Sequence, residues 1–218
     1  MPGKAIVLGA SGLIGSNLVR VLIRDKIFDE VILLVRKKLD ISSSIVRQKI
    51  INFDLIEEYQ DELYGNVIFS CLGTTRSQVA DYQEYRNIDV NYPKKIAEVA
   101  AKHGVEQFHV ISSMGANKNS FSSYLKLKGE LEEALKNIPF KSLHIYRPSF
   151  ITGERVKKRI SDYIVTPLMK FINPVLSGSL KKYRSIEASV IANAMIKKAS
   201  ENLTGIFIYE SDQIQDIK

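Results

Sequence analysis

The chain has 218 residues, with 31 Lys and Arg against 24 Asp and Glu, a formal net charge of +7. That length holds one domain with a real core, and 45% hydrophobic with 25% charged residues excludes the disordered, collagen-like and membrane-embedded classes. A single cysteine, Cys71, excludes an intramolecular disulfide and any cysteine-rich zinc site, and His103, His109 and His144 show no metal-ligand spacing. The positive surplus suits nucleic acid, an anionic membrane face or a phosphorylated small molecule, and composition does not choose between them.

The first element is a buried strand, Lys4 to Gly9, an apolar run ended by glycine. A helix follows from Leu13 to Arg24, its Leu13, Ile14, Leu18, Val21 and Leu22 recurring at three- and four-residue steps. The uncharged stretch from Ala5 to Val19 is broken by Gly9, Ser11, Gly12, Gly15, Ser16 and Asn17, so it lacks the continuous apolar segment of a secretory signal. No run reaches the ~18 apolar residues of a spanning helix, and glycine stands at position 3 rather than at the myristoylation position. The expectation is a cytoplasmic protein without a membrane partner.

Val31 to Val35 reads as a second strand and Lys49 to Phe53 as a third, followed by a short helix from Ile56 to Leu63 opened by Asp54. Val67 to Cys71 is the fourth strand. A polar stretch from Leu72 to Arg86 leads into a helix ending near Lys102, with Pro93 in its first turn or kinking it. Gln107 to Ser112 forms a fifth strand, Ser122 to Lys136 a helix, and Ser142 to Arg147 a sixth strand stopped by Pro148. This alternation predicts an α/β fold, a doubly wound parallel sheet of the Rossmann type. Beyond Pro148 come a basic loop, an apolar stretch from Ile160 to Ile172, a break at Asn173, Pro174 and Gly178, a helix from Glu187 to Ser200 and a last strand from Ile206 to Tyr209. Residues 1–218 therefore read as one dinucleotide-binding domain, with 149–204 contributing a small substrate or lid annex.

The first strand runs into Gly9-Ala-Ser-Gly12-Leu-Ile-Gly15 at the strand-to-helix junction. Gly9 allows a tight turn, Gly12 lets the backbone approach a pyrophosphate, Gly15 permits close helix–strand packing, and the helix N-terminus offers N–H groups to the anion. At the end of the second strand, where an NAD site carries an acid for the ribose, the sequence is Val35-Arg36-Lys37-Lys38. Cations at this place favour the 2′-phosphate of NADP, with a solvated basic turn as the alternative.

Tyr124 and Lys128 stand four residues apart on one predicted helix face, and Ser112 and Ser113 lie 12 and 11 residues before the tyrosine, at the end of the fifth strand. A phenol titrates near pH 10, so it works as an acid–base group at neutral pH when an ammonium stabilises the phenolate. Lys128 supplies that ammonium, and either serine can hold a carbonyl oxygen while Tyr124 moves the proton. An exposed tyrosine on an amphipathic helix is the plainer alternative.

Gly9 to Gly15, Cys71-Leu-Gly-Thr-Thr-Arg76, Ile111-Ser-Ser-Met-Gly-Ala116, Tyr124-Leu-Lys-Leu-Lys128 and Tyr146-Arg-Pro148 occur in this order. In this the chain resembles the atypical short-chain dehydrogenase/reductase family, in its Tat-interacting-protein (TIP30) group, over residues 4–200. The resemblance implies NADP(H) contacts at Ser11, Gly12, Leu13, Ile14, Arg36, Lys37, Leu72, Gly73, Tyr124 and Lys128, with Ile151 and Arg159 closing over the cofactor. Gly9, Gly15, Asp54 and Thr74 complete the expected cofactor set. The helical asparagine that many short-chain dehydrogenases place in a proton relay has Asn87 and Asn91 as candidate counterparts, and either also reads as a helix cap.

Cys71, His109 and His144 read as core or sheet positions, and the basic clusters Lys157-Lys-Arg159 and Lys181-Lys-Tyr-Arg184 as solvated surface. The chain has no helix-turn-helix, RNA-recognition or zinc-finger pattern, so no nucleic acid is expected. Two functions follow. One is an NADP(H)-dependent oxidoreductase acting on an unidentified small carbonyl, hydroxyl or sugar-nucleotide-like substrate, as a monomer or homodimer. The other is a non-catalytic NADP(H)-binding redox-sensing regulator that contacts a protein partner through its C-terminal annex.

Overall fold

The computed structural model describes residues 3–76, 78–79, 81–153, 173 and 176–217. Seven parallel strands form one sheet: β1 (Lys4–Leu8), β2 (Glu30–Val35), β3 (Val46–Ile50), β4 (Val67–Ser70), β5 (Gln107–Ile111), β6 (Ser142–Arg147) and β9 (Gly205–Glu210). Their order is β3-β2-β1-β4-β5-β6-β9, with β1 paired to β2 and β4, so chain direction reverses at the β1/β4 boundary. That boundary is where a doubly wound sheet opens a crevice at the carboxyl ends of its strands. β7 (Ile151–Thr152) and β8 (Ile186–Glu187) form a separate parallel pair.

The apolar strands are buried on both faces, as their unbroken hydrophobicity predicts. On one face α1 (Leu13–Asp25) and α5 (Ala188–Ser200) pack Leu18, Leu22, Ile191 and Met195 on Ala5, Val7, Val31 and Leu33. On the other, α3 (Tyr92–Lys102) and α4 (Ser123–Lys136) pack Ile96, Ala97, Leu127 and Leu131 on Ile6, Leu8, Ile68 and Phe108. The sequence assigns the helix near residue 190 to the annex, whereas α5 covers the sheet beside α1; its Ala192, Met195 and Ala199 are buried. A short terminal helix, α6 (Ser211–Asp216), is closed by a capping box between Glu210 and Gln213 and is missing from the sequence reading.

Three local departures have simple causes. β3 starts at Val46 and ends at Ile50, three residues earlier than expected, because its side chains are half exposed at the sheet edge and carry no apolar run. The stretch after it, Phe53–Glu62, is a run of 3-10 turns kinked at Leu55 and Tyr59, whose cap is Asn52 rather than Asp54, the Asn52 side chain accepting from the Asp54 N–H. The segment from residue 82 is three pieces: α2 (Tyr82–Arg86), a π-helical turn Asn87–Asn91, and α3 with Pro93 in its first turn. Asp81 caps α2, its carboxylate accepting from the Glu84 N–H at 2.7 Å. The Pro93 ring cannot sit over the carbonyl four residues back, and the ladder widens there instead of breaking.

Candidate functional site

The glycine loop has the geometry its spacing predicts. Gly9 has φ +74°, and a Cβ on it would lie 2.5 Å from the Cys71 carbonyl oxygen. A Cβ on Gly15 would lie 2.2 Å from the Gly9 carbonyl oxygen, so α1 meets the turn with no room for a side chain. Gly12 caps α1 without a side-chain acceptor, and the first turn carries no acid. The first-turn N–H groups are thus left for an anion, and the loop fits a dinucleotide's pyrophosphate. Ser11 is exposed, Leu13 half-buried and Ile14 buried. Ile151, expected over the cofactor, lies in β7 and packs against the core; two residues on, a Cβ on Gly153 would lie 3.1 Å from the Leu13 side chain. β7 therefore ends beside the loop. Arg159 lies outside the described residues.

Arg36, Lys37 and Lys38 are exposed directly after β2 and make no ion pair among the described residues. Asp54 accepts a hydrogen bond from the Tyr92 hydroxyl at 2.5 Å. Burial, with that bond second, pushes the Tyr92 phenol up to about 12. After β4, Leu72 is half-buried, Gly73 is exposed, and the Thr74 N–H donates to Asp89 Oδ2 at 2.8 Å. Cys71 packs on the core, and burial pushes its thiol up to about 12, which makes it unreactive.

Tyr124 stands in the first turn of α4, 37% exposed, while Lys128, one turn later, is 3% exposed. The Lys128 ammonium lies 2.8 Å from Asp89 Oδ1, and Asp89 is itself 1% exposed. The two form a close, buried ion pair. Burial works against the charge on Lys128, but Asp89, then Tyr124 and Tyr85, outweigh it and raise its pKa. Tyr85, buried on α2, is a second phenol of this group, pushed up to about 12 first by burial and next by Asp89. Sequence reasoning missed Asp89 and Tyr85. Asn87 and Asn91 bond each other at 2.7 Å, so neither is the residue at the lysine, and neither caps a helix through its side chain. The available signal was a carboxylate between Tyr85, Val90 and Ile96 on an otherwise apolar face.

The two serines separate. Ser112 is 2% exposed and donates to Glu132 Oε1 at 2.5 Å. It is thus withdrawn from the role of holding a substrate, because its hydroxyl is spent on a buried carboxylate. Ser113 is half-buried and donates only to the neighbouring Met114 carbonyl, at 3.3 Å. Glu132 also accepts from Arg147 Nε and Nη2, at 2.9 and 2.6 Å, and Arg147 Nη1 donates to Glu210 at 3.1 Å. Arg147 and Glu210 then line an open cleft of about 510 Å³ with Met114, Gly115, Lys182 and Tyr183, at the carboxyl ends of β5, β6 and β9.

Part of the unassigned basic charge is neutralised within the fold: Lys181 pairs with Asp216 at 3.0 Å and Lys198 with Glu201 at 2.9 Å. Lys157 and Lys158 lie outside the described residues. Among the described residues no cluster of acids, histidines and cysteine could hold a metal, and no helix is long and apolar enough to cross a membrane.

Comparison with known proteins places these features in a family. The model of the NAD dependent epimerase/dehydratase family matches residues 5–214. Protein HTATIP2 of Rattus norvegicus is 32% identical over 169 residues, 75% of this chain and 69% of that protein. The mitochondrial protein FMP52 of Debaryomyces hansenii is 29% identical over 207 residues, covering 92% and 89%. Among solved structures, MoeE5 in complex with UDP-glucose and NAD superposes with TM-score 0.71 at 19% identity, over 94% of this chain and 75% of that one. WbmH of Bordetella bronchiseptica in complex with NAD+ gives 0.72 at 13%, over 97% and 76%. These likenesses confirm the doubly wound sheet. The cytoplasmic expectation is corrected: the fungal relatives, including that of Aspergillus niger at 27% identity over 206 residues, are named as mitochondrial proteins.

Proposed function

The chain belongs to the NAD dependent epimerase/dehydratase family, and from that premise we propose that it is an NADP(H)-dependent oxidoreductase acting on a small carbonyl or hydroxyl compound. The observation that carries this reading is the buried, charged Lys128 one turn behind the half-exposed Tyr124, at the crevice the glycine loop opens onto. Gly9, Gly12 and Gly15 with the α1 N-terminus would hold the pyrophosphate, and Arg36 and Lys37 the 2′-phosphate. A bound nicotinamide supplies the hydride donor or acceptor. Tyr124 holds the proton exchanged with the substrate oxygen, and Lys128 stabilises the phenolate left behind. Ser113 orients that oxygen, since the Ser112 hydroxyl is engaged by Glu132.

The test is NADPH consumption by the purified protein with a panel of aldehydes, ketones and quinones. Turnover is expected with at least one class, and Tyr124→Phe should abolish it while the NADPH dissociation constant stays within about threefold, because the phenol acts on substrate rather than on the cofactor phosphates. Inactivity across the panel, with NADPH still bound, favours the regulator instead.

A further inference from the structure

We propose that Asp89 is the positioning residue of this site: its carboxylate holds the Lys128 ammonium and the Gly73–Thr74 segment as one unit facing the cofactor. The proposal rests on the dinucleotide reading above. Its geometry joins three elements. From the π-helical turn, Oδ2 takes the Thr74 N–H at 2.8 Å and Oδ1 meets the α4 lysine at 2.8 Å. A Cβ on Gly73 would come to 3.4 Å from Lys128 Nζ and 3.6 Å from Asp89 Oδ1. The ion pair therefore lies directly behind the backbone of an exposed glycine, in the crevice at the carboxyl end of β4.

A merely structural role explains this pair poorly. Removing both charges from water is expensive, and an apolar pair of similar volume commonly serves a fold as well or better. What an apolar pair cannot do is keep an ammonium charged in a dry place. The charged and titratable groups facing Lys128 are Asp89 from the π turn, Tyr85 from α2 and Tyr124 from its own helix, with Arg76 acting on Tyr85 from the loop after β4. Asp89 alone among them is a carboxylate. Without it, burial acts on Lys128 with only phenols to oppose it, and the lysine gives up its proton within the ordinary pH range.

The experiment uses the full chain as wild type, Asp89→Asn, Lys128→Met and the double variant. In urea unfolding of the cofactor-free protein, the wild-type lysine stays charged in both states between pH 6 and 9 and contributes no slope. In Asp89→Asn the unfolded state binds the extra proton, so the deficit against wild type is largest at pH 6 and narrows as pH rises. The double variant should run parallel to wild type. In NADPH fluorescence titrations the Lys128→Met variant binds weakly with no added slope. Asp89→Asn loses affinity relative to wild type as pH rises, by up to about tenfold per unit above the lowered lysine pKa.

A folded Asp89→Asn protein whose stability and NADPH affinity both follow the wild-type pH profile overturns the proposal. So does one that binds weakly but with the wild-type slope, which is the mark of a structural residue. A wild type that binds neither NADPH nor NADH overturns the cofactor reading itself, and the wild-type titration identifies that failure independently of any variant.

Discussion

Single residues divide the labour at the sheet's carboxyl edge. Ser112 and Ser113 are neighbours in sequence, yet alternation along the extended chain turns one hydroxyl to a buried Glu132 and leaves the other half-exposed. On the proposed function, cofactor choice turns on Arg36, exposed directly after β2. Arg36→Asp should raise the NADPH dissociation constant by about 10- to 100-fold, the worth of a charge-assisted phosphate contact, and leave NADH unchanged or tighter, read by parallel fluorescence titrations. Equal losses for both cofactors would remove the 2′-phosphate assignment. At this scale the glycines were legible because each answers to a close approach of backbone, and Gly9 and Gly15 show those approaches directly. Asp89 was legible only as a carboxylate on an otherwise apolar face. Its partner, 39 positions away, was not, because that pairing exists only once α4 packs against the π turn.

Among the elements, one buried face of α4 does two jobs. Lys128 turns toward the crevice, and Glu132, one turn on, ties the ends of β5 and β6 to the same helix through Ser112 and Arg147. Glu132→Ala leaves Arg147 short of its main partner and buries an unmet serine hydroxyl, so a stability loss of about 3–5 kcal/mol is expected. Chemical denaturation measures it, and a loss under ~1 kcal/mol would show the network to be solvated. The strands and α1 were readable from apolar runs and helical periodicity, since local pattern decides them. The division of residues 82–102 into helix, π turn and helix was not, because it depends on how Pro93 is accommodated inside a continuing helix. The place of α5 was hidden for a related reason: which sheet face a helix covers is settled by the crossover, not by its own residues.

For the molecule as a whole, one rung of the sheet sets its response to acid. Phe69, His109, His144 and Phe207 are in register on four adjacent parallel strands, with ring centroids 5.0, 4.2 and 5.0 Å apart. His109 and His144 also bond the Tyr146 and Tyr209 hydroxyls, at 3.1 and 3.0 Å. Burial, chiefly, holds His109 well below its ordinary value and brings His144 down to about 4. The folded state thus keeps these rings neutral. Their contribution is full above the unfolded value near 6.5 and is lost as pH falls toward 4; His144 alone accounts for about 2 kcal/mol by pH 5. Urea midpoints at pH 7 and pH 5 should fall accordingly in wild type, and the drop should shrink in His144→Phe. An equal drop in both would place the acid response elsewhere.

The π turn at Asn87–Asn91 has a consequence for anyone engineering this fold. It is an interruption in an otherwise regular helical run, and such interruptions persist in proteins against the pull of simpler hydrogen bonding. Deleting one residue would regularise the ladder and rotate one flank by roughly 100° relative to the other. A thermostability screen that rewarded the more regular ladder would accept that deletion, while Tyr85 and Asp89 lost their common bearing on Lys128. Selection for robustness alone would thus yield a sturdier protein with a silenced site, and any stabilised variant needs a ligand-binding screen run alongside the melting curve.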